Sequence, residues 1–135
     1  MTVLLKAFLI LLVSVVTCIA AADEVPYVYV LGVAQDAGYP QAGCYKPHCM
    51  PGWENPETKI GATSLALIDP ASKKKYMFEA TPNFPEQLWM LEREAPTAEF
   101  KLDGIFITHA HIGHYTGLMY LGREVIGADL VPVYV

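Results

Sequence analysis

The sequence predicts an α/β fold on three observations. Short runs of branched and aromatic residues alternate with amphipathic stretches, one nearly continuous apolar run suits a buried strand, and that run leads straight into a histidine-rich turn. The 135 residues are 53% hydrophobic and carry a formal charge of -5, which fits one domain and argues against nucleic acid as a main partner. No internal repeat or low-complexity tract interrupts the pattern.

Residues 1–22 are read as a secretory signal rather than as fold. They carry one lysine, Lys6, an apolar run from Ala7 to Val16, and the small residues Ala20, Ala21 and Ala22 ahead of Asp23. Cleavage after Ala22 leaves 113 residues at charge -6 and places the protein outside the cell or in the periplasm. Two alternatives stay open: an uncleaved apolar anchor over Val3 to Ala22, the one route to a membrane, and a lipid on Cys18, for which Thr17 is a poor cleavage neighbour. The fold is expected in residues 23–135.

In "VPYVYVLGVA" (25–34) aromatic and branched residues alternate, as in a half-buried strand. Residues 35–61 hold four prolines and four glycines and read as one long loop, of a length that is usually functional in compact domains. Residues 62–69 and 74–80 are two more strands joined by a turn at "PASK", and the basic run "SKKK" (72–75) reads as its solvated tip. A helix follows with Thr81 as cap, Pro82 at its first position, and Phe84, Leu88 and Leu91 as the apolar stripe. "LDGIFIT" (102–108) is expected to be a strand buried on both faces. A helix over about 116–123 turns Leu118, Leu121 and Val125 inward and stops at Gly127, and "LVPVYV" begins a last strand.

Three of the chain's four histidines, His109, His111 and His114, fall within six positions where the buried strand turns toward a helix. Sites in open α/β sheets gather at that end of the strands. Neutral imidazoles are common ligands of zinc and iron, and three ligands with an open position suit a catalytic metal better than a closed structural one. The plainer explanation is a polar turn with exposed rings. Cys44, His48 and Cys49 lie within six residues of one another and suit either a second metal or a disulfide between the cysteines, with free thiols a third state. Asp36 follows the first strand and either lines the substrate cavity or forms a turn; Tyr115 either lines the cavity and supports His114 or simply packs.

"THAHIGHYTGL" resembles the H-x-H-x-D-H metal motif of the metallo-β-lactamase superfamily, with Gly113 at the aspartate position. "LGVAQDAGYPQAGC" (31–44) is similar to the first strand and glycine-bearing loop of its pyrroloquinoline-quinone biosynthesis protein B-like branch, and "EATPN" (79–83) stands at a strand-to-helix turn near the site. That branch also carries a cysteine-rich loop after its first strand. The resemblance implies the first half of an αββα sandwich, a partial domain over residues 23–135, and an apolar sheet face that normally meets the second half. Left alone, such a face promotes self-association into oligomers.

By the same resemblance, His109 and His111 are ligands of a first metal and His114 of a second. Gly113 cannot supply the missing carboxylate, which implies a mononuclear site and the expectation that Gly113→Asp raises second-metal occupancy. The implied activity is hydrolysis of a small-molecule or peptide substrate with a divalent metal, zinc first and iron second. The alternatives are a metal-binding or regulatory module without turnover, and an oxidative enzyme like those of quinone biosynthesis.

Overall fold

The structure, a computed structural model, describes residues 25–135, so the signal segment and its cleavage point lie outside the described residues. Five strands form one sheet in the order of the chain: β1 (Tyr27–Gly32), β2 (Ser64–Asp69), β3 (Lys74–Phe78), β4 (Gly104–Phe106) and β5 (Val133–Tyr134). The first three pair antiparallel, and β4 and β5 add in parallel. Strands β1, β3, β4 and β5 therefore end at one edge of the sheet, and the loops after them meet there. No helix among the described residues is long and apolar enough to cross a membrane.

The long loop contains two short elements, helix α1 (Met50–Glu54) and a 3-10 turn (Pro56–Thr58). Two of the four prolines that suggested an irregular loop, Pro51 and Pro56, sit at the starts of these elements, where a missing N–H costs nothing. Helix α2 (Phe84–Glu94) is capped at Asn83 and starts two residues later than the Thr81 cap predicts, with Pro85 in its first turn. The Thr81 hydroxyl is engaged otherwise: it accepts from the Asn83 N–H at 3.0 Å and donates to Gln87 Oε1 at 2.7 Å. Gln87 Nε2 and Asn83 Oδ1 then bind the carbonyl and N–H of Ala62 at 2.7 and 2.9 Å, pinning the start of α2 to the entry of β2.

One face of the sheet is closed. Leu31, Ala66, Ile68, Met77 and Ile105 from the strands pack with Phe84 and Leu91 of α2, and Leu88 is partly buried against them. The other face is open: Val28 and Val30 are 59% and 51% exposed, beside Leu65 and a row in which the Phe78 and Phe106 rings stack at 5.1 Å and Phe106 and Tyr134 at 4.6 Å. Strand β4 is thus buried on one face only. Its sequence is apolar on both sides because Phe106 belongs to the open aromatic row.

Two further expectations need correction. In place of one helix over 116–123, the chain forms the single turn α3 (Ile112–Tyr115), which holds His114, and then a 3-10 helix (Thr116–Leu121), with Val125 exposed beyond it. The Gly117 N–H bonds the Ala80 carbonyl at 2.8 Å, and a Cβ on Gly117 would lie 2.6 Å from Phe84 Cβ, so this segment is held tightly against the start of α2. The stop expected at Gly127 falls earlier: the 3-10 helix ends at Leu121 with Gly122 as its cap, and Gly127, at φ 58° with its N–H on the Gly122 carbonyl, closes the turn that follows. Lys75 is not part of a solvated tip. It is 3% exposed, and its ammonium donates to Glu92 at 2.6 Å, to the Ala95 carbonyl at 2.9 Å and to Thr97 at 3.3 Å.

Candidate metal centre

The C-terminal ends of the parallel strands β3 and β4 build the site. Phe78 pairs with Phe106, and the Glu79 N–H continues the ladder onto the Phe106 carbonyl at 2.8 Å, which sets Glu79 beside Thr108. The chain then leaves β4 through His109 to His111, which is extended at ψ 147°, and enters α3. Turn and sheet are joined by the Ala80 N–H on the His114 carbonyl at 2.8 Å.

His109 Nε2 lies 3.1 Å from His111 Nδ1. Two nitrogens at that separation, each about 2.05 Å from a shared zinc, subtend roughly 100°, close to a tetrahedral angle. The His114 ring packs 4.0 Å from that of His109, centroid to centroid, but its Nδ1 faces Glu79 Oε2 at 3.3 Å. The histidines thus form a pair plus a third ring rather than three nitrogens around one point. His114 Nδ1 and Glu79 Oε2 are both buried and have no aligned hydrogen-bond partner. The other carboxylate oxygen accepts from the Thr108 hydroxyl, whose oxygen lies 2.9 Å from His109 Nδ1. Imidazole nitrogens at a sheet edge, backed by a buried carboxylate, fit a divalent cation.

Glu79 is the residue that sequence reasoning missed. A single glutamate at a strand end reads as solvated, yet this one is 5% exposed. Its signals were its position directly after the apolar run "YMF" and its place at the head of "EATPN", the turn that the resemblance sets near the site, but neither gave it a role.

Asp36 arrives at the same edge, as the order of strands requires. It sits in a turn at φ 51° with its side chain exposed, and its main chain covers Gly113. A Cβ on Gly113 would strike the Asp36 carbonyl oxygen and lie 2.6 Å from its carbon and 3.2 Å from Ala37 N. The expectation that aspartate can simply be restored at 113 is therefore corrected: the Asp36–Ala37 peptide fills that space. Tyr115 borders a recess of about 320 Å³ beside His109, together with Ile107, Thr108, Ala110, Leu118 and Val135.

Cys44 and Cys49 are joined in a disulfide, with His48 Nε2 4.0 Å from Cys44 Sγ. Among the described residues, these three are the set whose possible ligand atoms all lie within 4.8 Å of one another. While the disulfide is closed, neither sulfur is a thiolate. The Trp53 indole N–H on the Cys44 carbonyl, at 2.7 Å, and the Tyr39 hydroxyl on the His48 carbonyl, at 2.6 Å, hold the loop.

The sheet, antiparallel then parallel with paired histidines at its carboxyl edge, is similar to that of metallo-β-lactamase-fold proteins, and this is a metallo-β-lactamase-type fold. Two solved structures of that fold resemble the chain. One is zinc-bound PqqB from Methylobacterium extorquens, with a TM-score of 0.58 and 21% identity over 73% of this chain and 34% of that one. The other is described as a new diphosphatase from the PhnP family, with a TM-score of 0.57 and 27% identity over 82% of this chain and 41% of that one. The chain thus spans well under half the length of either protein. None of the protein-family models matches it, and no curated protein does.

Proposed function

We propose that the protein is a metal-dependent hydrolase in which His109 and His111 share one divalent cation, most naturally zinc. The observation that carries this is the 3.1 Å approach of His109 Nε2 to His111 Nδ1 at the carboxyl edge of the sheet. Two similarities support it: one fold relative holds zinc and the other is a diphosphatase. A bound cation of this kind supplies Lewis acidity and lowers the pKa of a water toward about 7.

The chain's own residues bind and orient. His109 and His111 hold the cation, and the recess bounded by Ile107, Ala110, Tyr115 and Leu118 takes the non-reacting part of the substrate. No lysine, arginine or carboxylate lines that recess among the described residues, so it favours an apolar substituent on an ester, amide or phosphoester. Export is part of the same proposal and is checked by mass spectrometry of the secreted chain: a mature N-terminus at Asp23 supports it, and recovery of intact Met1 only in membranes contradicts it.

A second reading, a metal-binding module without turnover, is favoured by the one feature that sets the motif apart, Gly113 under the Asp36 peptide. Metal analysis of the purified protein combined with a screen of ester, lactone and phosphodiester substrates separates the two. Zinc with turnover supports the hydrolase, and zinc without turnover on any of them supports the module.

A further inference from the structure

We infer that Glu79 is a positioning residue whose single carboxylate fixes the proton on two histidine rings, His114 directly and His109 through Thr108. The inference rests on the metal-site reading for its purpose, but its geometry stands on its own. The Thr108 hydroxyl has one proton and two polar neighbours, Glu79 Oε1 and His109 Nδ1. A carboxylate only accepts, so the hydroxyl proton goes to Glu79. The hydroxyl then offers a lone pair to His109 Nδ1, which must bring the proton of that contact. A neutral imidazole protonated on Nδ1 keeps its lone pair on Nε2, and His109 Nε2 is the atom that approaches His111.

The same logic applies at the other oxygen. Glu79 Oε2 and His114 Nδ1 are buried 3.3 Å apart, and neither has another partner. An acceptor facing a ring nitrogen in a buried place selects the ring form that carries the proton there. A small rotation aligns that bond and leaves His114 Nε2 unprotonated as well. Both rings thus turn their lone-pair nitrogens away from Glu79.

The backbone supports the assignment. Glu79 lies at φ 73°, in the left-handed region that costs a side-chain-bearing residue about 1–2 kcal/mol. The conformation is held by the Glu79 N–H on the Phe106 carbonyl and the Ala80 N–H on the His114 carbonyl, both 2.8 Å. Glycine would adopt this φ without the cost. A buried glutamate here is explained by what its carboxylate does, and strain of this kind concentrates at functional sites.

The test is the ring tautomer, read from long-range proton–nitrogen NMR correlations of the metal-free full-length protein. The wild type should show the Nδ1–H form at both His109 and His114. Thr108→Val removes the relay at nearly constant volume and should shift His109 toward the Nε2–H form, leaving His114 as it was; Thr108→Ser should restore His109. Glu79→Gln has only one accepting end and should lose the Nδ1–H form on at least one ring. Zinc affinity should fall roughly 10–100-fold in Thr108→Val and Glu79→Gln, as for other residues that orient ligands, and recover in Thr108→Ser. The inference is overturned if His109 keeps its Nδ1 proton in Thr108→Val, or if His114 changes there as much as His109. A wild type with both tautomers as stated that takes up no zinc contradicts the hydrolase proposal and leaves this inference standing.

Discussion

Replacing Gly113 by alanine separates close packing from helix propensity, because the two predict opposite signs. Gly113 is buried within the one-turn helix α3, where propensity alone makes alanine more stable by about 1 kcal/mol. The structure predicts the reverse. The new Cβ would lie 2.6 Å from the Asp36 carbonyl carbon, whereas carbon atoms in contact settle at about 3.5–4.0 Å. Either the 35–38 turn or the histidine turn must therefore move by roughly 1 Å. The obstacle is backbone, which has no rotamer to swing aside. Overpacking of this kind costs about 1–3 kcal/mol, and each kcal/mol lowers the melting temperature of a domain near this size by about 4 °C. Thermal and urea denaturation of Gly113→Ala should show that loss, and Gly113→Asp should lose at least as much without gaining a second metal equivalent. A Gly113→Ala protein as stable as the wild type, or more so, would refute the packing argument.

Two other perturbations probe the remainder of the fold. Burial pushes the Glu92 carboxyl up, but hydrogen bonds from Lys75 and from the Thr97 N–H and hydroxyl outweigh it and hold the group below its ordinary pKa of 4.5. The folded state therefore binds this proton less readily than the unfolded one. The stabilisation is fully present above about pH 4.5 and is lost as pH falls through the lower, folded value. The urea midpoint of the wild type should drop more steeply below that pH than that of Glu92→Gln, and equal slopes would contradict the pairing. Opening the Cys44–Cys49 bond, which spans five positions, should cost about 2 kcal/mol by loop-closure entropy. Urea curves with and without a dithiol reductant measure it, and coincident curves together with two titratable thiols in the unreduced protein would show that the bond does not form.

Periodicity made most of the sheet legible. Alternation in 25–34 and 62–69 and the apolar runs of 74–80 and 102–108 mark the four longer strands, and the clustered histidines mark the edge that matters. What the sequence concealed are residues whose role depends on partners far along the chain. Lys75 and Glu79 look like solvent-facing charges, and only the pairing of β3 with β4 and the packing of α2 bury them. Thr81 was legible as a residue that bonds near a helix start, but its partner Gln87 was not, so the start was misplaced. Gly113 read as a loss of function. The Asp36 carbonyl above it, 77 positions away in sequence, shows it to be a requirement of packing as well.

The most direct measurement is zinc binding to the oxidised full-length protein, with Cys44 and Cys49 disulfide-bonded so that the cysteine loop does not compete. One tightly bound equivalent in the wild type, weakened by orders of magnitude in both His109→Ala and His111→Ala, is the result predicted by the 3.1 Å pair. Unchanged stoichiometry and affinity in either variant would contradict a metal centre at this edge of the sheet.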